Sequence, residues 1–253
     1  MRAWWELYKK DLFTLGFFML VVILLVFAWE FFLFYKIDAW PGGLTFSLSF
    51  LPFSFFPLLL LWLGYNGFRA EWKDDTNYFL LSLPRHGWEI SLAKLAAAMT
   101  FYLVVPLVTA LLIYIFQWGP FKNMMEIPEF ILEGQWAIKT IFKIFVFYWL
   151  SGLALYIITQ FSQLVSLFYD RFRGLVTIVV FIISNYLVYR GGSILAPLLK
   201  WLPDFPVEVI NETRMGLQKT VIYLGSGPVI GSAVLLGGVF LLGSWLLENQ
   251  LEV

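Results

Sequence analysis

Residues 12–29 read LFTLGFFMLVVILLVFAW, a run with no charged side chain. A helix that crosses a bilayer needs roughly 20 mostly apolar residues, because each residue rises about 1.5 Å and every backbone polar group must be satisfied inside the helix. The run, extended past Glu30 to Tyr35, meets that requirement. Arg2, Lys9 and Lys10 precede it as in a signal peptide, but no small-residue cleavage site follows Ala28-Trp29-Glu30-Phe31, so the run reads as an uncleaved anchor.

Similar charge-free intervals recur along the chain. Ala39 to Phe68 is the next, and Pro41-Gly42-Gly43 must form a turn that trims it. The spans expected on this reading are 12–35, 44–65, 90–116, 140–168, 174–190 and 221–247, in one transmembrane domain over 1–253. The fold class expected is an all-α integral membrane protein with six transmembrane helices. Composition agrees, since 60% of residues are hydrophobic and only 13% charged, against roughly 25% charged in soluble chains. Seventeen basic residues balance seventeen acidic ones, so net charge gives no attraction to nucleic acid. Cysteine is absent and His86 is the single histidine, which excludes disulfides, thiol chemistry and multi-histidine metal sites.

Six spans place both termini on one side. A cytoplasmic N-terminus puts Arg2, Lys9, Lys10, Arg69, Lys73, Arg85, Lys94, Arg171 and Arg173 inside, nine of the seventeen basic residues. These nine are packed into short segments, where positive charge biases topology most. Both termini are therefore expected in the cytoplasm, with the chain multi-pass in the cell membrane.

Two segments are more than plain spans. Trp4, Trp5, Tyr8 and Leu12 fall at helical spacing, with Glu6, Lys9 and Lys10 mostly away from them. Two readings fit: an interfacial helix along the cytoplasmic leaflet, or an aromatic anchor leading directly into the first span. Between spans two and three, charge is concentrated from Arg69 to Asp75, apolar residues return over Phe79–Leu83, and Pro84–Gly87 forms a turn. Here a short amphipathic helix parallel to the membrane competes with a solvated loop. Trp72, Thr76, Leu80 and Leu83 share a helical face.

At this segment the sequence resembles the membrane subunits of ABC transporters of the ABC-2, or type V exporter, family. The residues that carry the resemblance are Thr76, Leu80-Leu81-Ser82-Leu83-Pro84, Arg85, Ile90 and Lys94, in that order before the third span. His86-Gly87-Trp88 departs from the small residues usual after the proline, and the Gln117–Ala137 loop is longer than typical. The resemblance implies an N-terminal amphipathic elbow helix and a cytoplasmic coupling helix that docks on a separate ATPase. The coupling residues it marks are Trp72, Thr76, Leu80, Leu83, Pro84 and Arg85. It implies a permease subunit that pairs with a second copy or a homologous chain as a dimer, with ATP and magnesium held by the partner ATPase subunits. No cofactor is expected on this chain, because its Gly-rich spots, such as Gly225-Ser226-Gly227-Pro228, lack the spacing and the lysine of a P-loop.

Single residues divide between function and packing. Glu30 is a carboxylate near membrane depth, where an unpaired charge costs several kcal/mol; it reads either as a substrate or ion contact or as an interfacial residue beside Lys36. Gln160, Gln163 and Asn185 read as packing residues that hydrogen-bond across helices. Gly227 and Gly231, and again Ala233 and Gly237, give span six small faces for close approach, and Pro52, Pro57 and Pro106 favour kinks. The sequon Asn211-Glu212-Thr213 carries no weight by itself. The span composition suits an apolar or amphipathic substrate: a lipid-like molecule, a hydrophobic peptide or an antibiotic. The alternatives are a stand-alone secondary transporter and an intramembrane serine enzyme. The first lacks ionisable residues in the central parts of its spans apart from Glu30. The second would need His86 beside Ser226, and the two are expected on opposite faces.

Overall fold

The computed structural model describes residues 2–40, 42–73, 86–124, 134–169, 171–213 and 216–249. Its elements in order are α1 (Arg2–Tyr35), α2 (Gly42–Ser49), α3 (Leu51–Lys73), α4 (Gly87–Met124), α5 (Gly134–Ser166), α6 (Arg173–Leu195), a 3-10 turn (Ala196–Leu199), strands β1 (Phe205–Thr213) and β2 (Gly216–Leu224), and α7 (Ser226–Asn249). Among the described residues, six helical segments are long and apolar enough to cross a membrane, with α2 and α3 together forming the second. The chain is a helical, multi-pass membrane protein.

The first helix runs unbroken for 34 residues. At about 1.5 Å per residue it is about 51 Å long, well beyond the roughly 30 Å hydrocarbon core. The aromatic N-terminal segment and the first span are thus one rod. Its opening turns pack on α4, with the Tyr8 hydroxyl 3.0 Å from Thr100 Oγ1.

The second span is broken at Phe50, two residues before Pro52, as its prolines suggest. A helical proline has no N–H for the carbonyl four residues back. For Pro52 that carbonyl is Leu48, and it accepts the indole N–H of Trp29 at 3.2 Å. For Pro57 it is Phe53, and it accepts the Tyr148 hydroxyl at 2.8 Å. Both freed carbonyls are therefore satisfied by aromatic donors from other spans, as a dry environment requires.

The core is built around α4, which packs on α1, α2, α3, α5 and α7. Ala93, Ala97, Ala98, Phe101, Tyr102 and Val105 on α4 are almost fully buried. They meet Val22 and Val26 of α1, Phe56 and Leu60 of α3, and Tyr156 and Ile157 of α5. Gly152 of α5 lies so close to the Tyr102 ring that an added Cβ would overlap it. A second cluster closes one end of the bundle with Phe68, Ile90, Leu164, Leu167 and Leu247.

Two features differ from the sequence reading. The connection before span six is a β-hairpin, paired antiparallel from Phe205↔Leu224 to Thr213↔Gly216. Val207, Val209 and Ile210, and then Val221, Ile222 and Tyr223, supply the β-branched and aromatic residues that favour strands. The hairpin is a small β element in an otherwise helical membrane protein, and the sixth span begins at Ser226 instead of Val221. The fifth span also runs through Gly191-Gly192 to Leu195 instead of ending at Arg190. Those glycines form a helix crossing. A Cβ on Gly192 would collide with Ser232 Oγ and lie 2.8 Å from the Pro228 carbonyl, while one on Gly231 would lie 2.8 Å from the Gly192 carbonyl. The small face expected at Gly227 and Gly231 is therefore where α7 meets α6 and the 3-10 turn, Gly231 against Gly192 and Gly227 against Ala196, whereas Gly237 faces open space.

Candidate functional site

The ends of α1, α3 and α4 bring four charged side chains together. Lys94, on the second turn of α4, is only 7% exposed. Its Nζ lies 2.9 Å from Glu71 Oε1 on α3 and 3.8 Å from Asp11 Oδ1 on α1. Lys10 reaches the same Glu71 oxygen at 3.5 Å. Two ammonium groups and two carboxylates thus form a neutral knot, and the ring of Phe68 lies beneath Lys94 at 5.2 Å. Burying a charge is costly unless it is paired, so Lys94 is held where it is by its two acidic neighbours.

Sequence alone picks out Lys94 as the last position of the motif before span three. Its partners come from the end of α3 and the start of α1, too far apart in the chain for any spacing rule to join them. The knot is thus the part of the site that reading the sequence misses.

A cavity of about 570 Å³ opens beside the knot. The knot residues line one end, and Leu15, Phe18, Trp62, Leu63, Ala98 and Tyr156 line much of the rest. The α1 and α3 helices each pack on α4 but not closely on one another, which leaves this space between them.

Among the residues expected to couple to an ATPase, Trp72 is the one described. It is half-buried and packs edge-on against Phe68, 6.3 Å between ring centroids, in the cluster that closes the end of the bundle. Thr76, Leu80, Leu83, Pro84 and Arg85 lie outside the described residues, as does the body of the expected coupling helix. Both flanks of that segment are anchored. Glu71 precedes it and is bound to Lys94; His86 follows it, with Nδ1 3.0 Å from Glu248 Oε1 on α7. The other Glu248 oxygen accepts the Gly87 N–H at 3.2 Å and so caps the start of α4. A Cβ on Gly87 would overlap the Ser244 carbonyl, so only glycine allows α7 this close.

Glu30 is fully buried. Lys36 sits over the Tyr35 ring at 5.5 Å, and among the described residues no ion pair joins it to Glu30. The Ser49 hydroxyl and the Gln117 amide are the polar groups set against the Glu30 carboxyl. The arrangement fits a contact with an ion or a hydrogen-bonding group. Gln160 and Gln163 are buried as expected; Gln160 donates to the Ser91 carbonyl at 3.3 Å, joining α5 to α4. Asn185 bonds only within its own helix among the contacts described, to the Phe181 carbonyl at 3.1 Å. No group of three or more metal-ligating side chains occurs among the described residues. Comparison with family models, with curated proteins and with solved structures finds no match to this chain.

Proposed function

We propose that this chain is the membrane-spanning permease subunit of an ATP-binding cassette transporter of the ABC-2 type. It moves an apolar or amphipathic substrate across the cell membrane and is driven by separate ATPase chains. The observation that carries the reading is the buried Glu71–Lys94 bridge at 2.9 Å. It staples α3 to α4 beside the segment that the family uses for coupling, and Lys94 is itself a residue of the motif. A push on that segment would then reach spans two and three as one body, the rigid-body motion by which a closing ATPase dimer tilts a membrane domain.

In this reading the first turns of α1, continuous with the first span, take the place of a separate elbow helix, and residues 72–85 form the coupling surface on the cytoplasmic side with both termini. ATP and magnesium are bound by the partner chains, and a second permease subunit completes the pathway. Glu30, with Gln117 and Ser49, is the polar contact for a substrate or ion within the spans.

The full chain, purified from its native membranes in mild detergent, should carry a P-loop ATPase with it, and Leu80→Ala should lose that partner and its ATP turnover. Lys200→Ala, near the hairpin, should keep both. ATP turnover by the chain alone, or retention of the partner by Leu80→Ala together with Thr76→Ala, would overturn the proposal.

A further inference from the structure

We infer that the cavity between α1 and α3 binds a zwitterionic phospholipid of the phosphoethanolamine class, taken laterally from the bilayer. Its volume of about 570 Å³ falls in the range of small-ligand sites. Its charges are confined to one end: Lys10 and Asp11 at the start of α1, Glu71 near the end of α3, and Lys94 near the start of α4. From Asp11 to Phe18 the wall runs seven residues, about 10 Å, toward the bundle centre, and it is lined by Leu15, Phe18, Trp62 and Leu63. A polar mouth above an apolar slot matches a headgroup above an acyl chain.

The mouth also selects the headgroup. Its two ammonium groups and two carboxylates sum to zero, so a ligand of either net charge would leave one protein charge unbalanced. A ligand carrying both signs leaves none. Lys94 and Glu71 are engaged with each other at 2.9 Å, whereas Asp11 is held only at 3.8 Å and Lys10 is 54% exposed. Asp11 can accept hydrogen bonds from a primary ammonium, and Lys10 can meet the phosphate. A choline headgroup carries no N–H to donate to Asp11, and a glycerol headgroup carries no positive charge. Thr14, Trp62 and Ala70 are exposed along the opening between α1 and α3, so a lipid reaches the cavity without passing through the bundle. This binding holds whether or not the lipid is transported, and so does not depend on the permease assignment.

The test is native mass spectrometry of the full chain released from micelles containing equal amounts of phosphatidylethanolamine, phosphatidylcholine and phosphatidylglycerol. One bound phosphatidylethanolamine should exceed either competitor by roughly fivefold, equivalent to about 1 kcal/mol. Asp11→Asn should bring the three lipids to near-equal retention, Lys10→Gln should lower retention of all three, and Ala70→Phe, at the exposed edge of the opening, should block binding. Glycerophosphoethanolamine without chains should not compete; if it does, the site takes a free phosphate ester and the lipid assignment fails. Equal retention of the three lipids by the parent chain would overturn the proposal, as would unchanged selectivity in Asp11→Asn. Should Ala70→Phe not fold, Asp11→Asn alone decides.

Discussion

The Tyr148 hydroxyl donates to the Phe53 carbonyl at 2.8 Å, and that carbonyl is free because Pro57, four residues on, has no N–H to offer it. The proline and the tyrosine sit on different spans, so a defect in one helix has become a tie to another. Tyr148→Phe should destabilise the chain by about 1 kcal/mol, the usual worth of a hydrogen bond between spans. In a Pro57→Ala background, where an N–H again faces the Phe53 carbonyl, the same change should cost much less. Reversible unfolding in mixed detergent micelles measures both, and an equal cost in the two backgrounds would show that the tie does not answer the proline.

Removing Lys94 should be far more damaging than removing an exposed lysine. Lys94→Met leaves Glu71 and Asp11 without their common cation, and breaking a buried pair costs about 3–5 kcal/mol. The double variant Lys94→Met with Glu71→Gln should recover much of the loss, since it leaves Lys10 and Asp11 in charge balance. Lys9→Met, at an exposed pair on the first turns of α1, should lie within about 1 kcal/mol of the parent. Thermal melting of the purified chains distinguishes the three.

At the α6–α7 crossing, Gly192→Ala and Gly231→Ala should each destabilise by about 1–3 kcal/mol, because the added methyl meets backbone that cannot move aside. Gly237→Ala, on the same α7 but with nothing within 4 Å of the new atom, should be neutral or slightly stabilising. A cost at Gly237 equal to that at Gly231 would point to a further helix seated on α7.

The topology can be read by labelling single cysteines, since the natural chain has none. In intact cells a membrane-impermeant thiol reagent should modify a cysteine at Lys200, beside the hairpin. It should miss cysteines at Lys73 and Arg171 until the membrane is opened. Modification of the latter two in intact cells would invert the orientation.

The spans were legible because membrane crossing imposes a length and a polarity that few other structures need, and residues 12–29 meet both on their own. The hairpin was not, because Val221–Leu224 is as apolar as a helix start, and the alternation that marks a strand is short there. Gly191-Gly192 misled for a related reason. The span was ended before the glycine pair because its partner in the crossing, Gly231, lies far along the sequence. The knot of Lys10, Asp11, Glu71 and Lys94 shows the same limit: each charge looks like an ordinary flank of its own span, and only the fold makes them neighbours.

That knot also has an electrical consequence. A lone charge carried across the membrane field exchanges about 2.3 kcal/mol for every 100 mV. Two ammonium groups and two carboxylates moving together have no net charge, so to first order the field does no work on them. The knot therefore adds almost no gating charge of its own to a movement of α1, α3 and α4 against the bilayer.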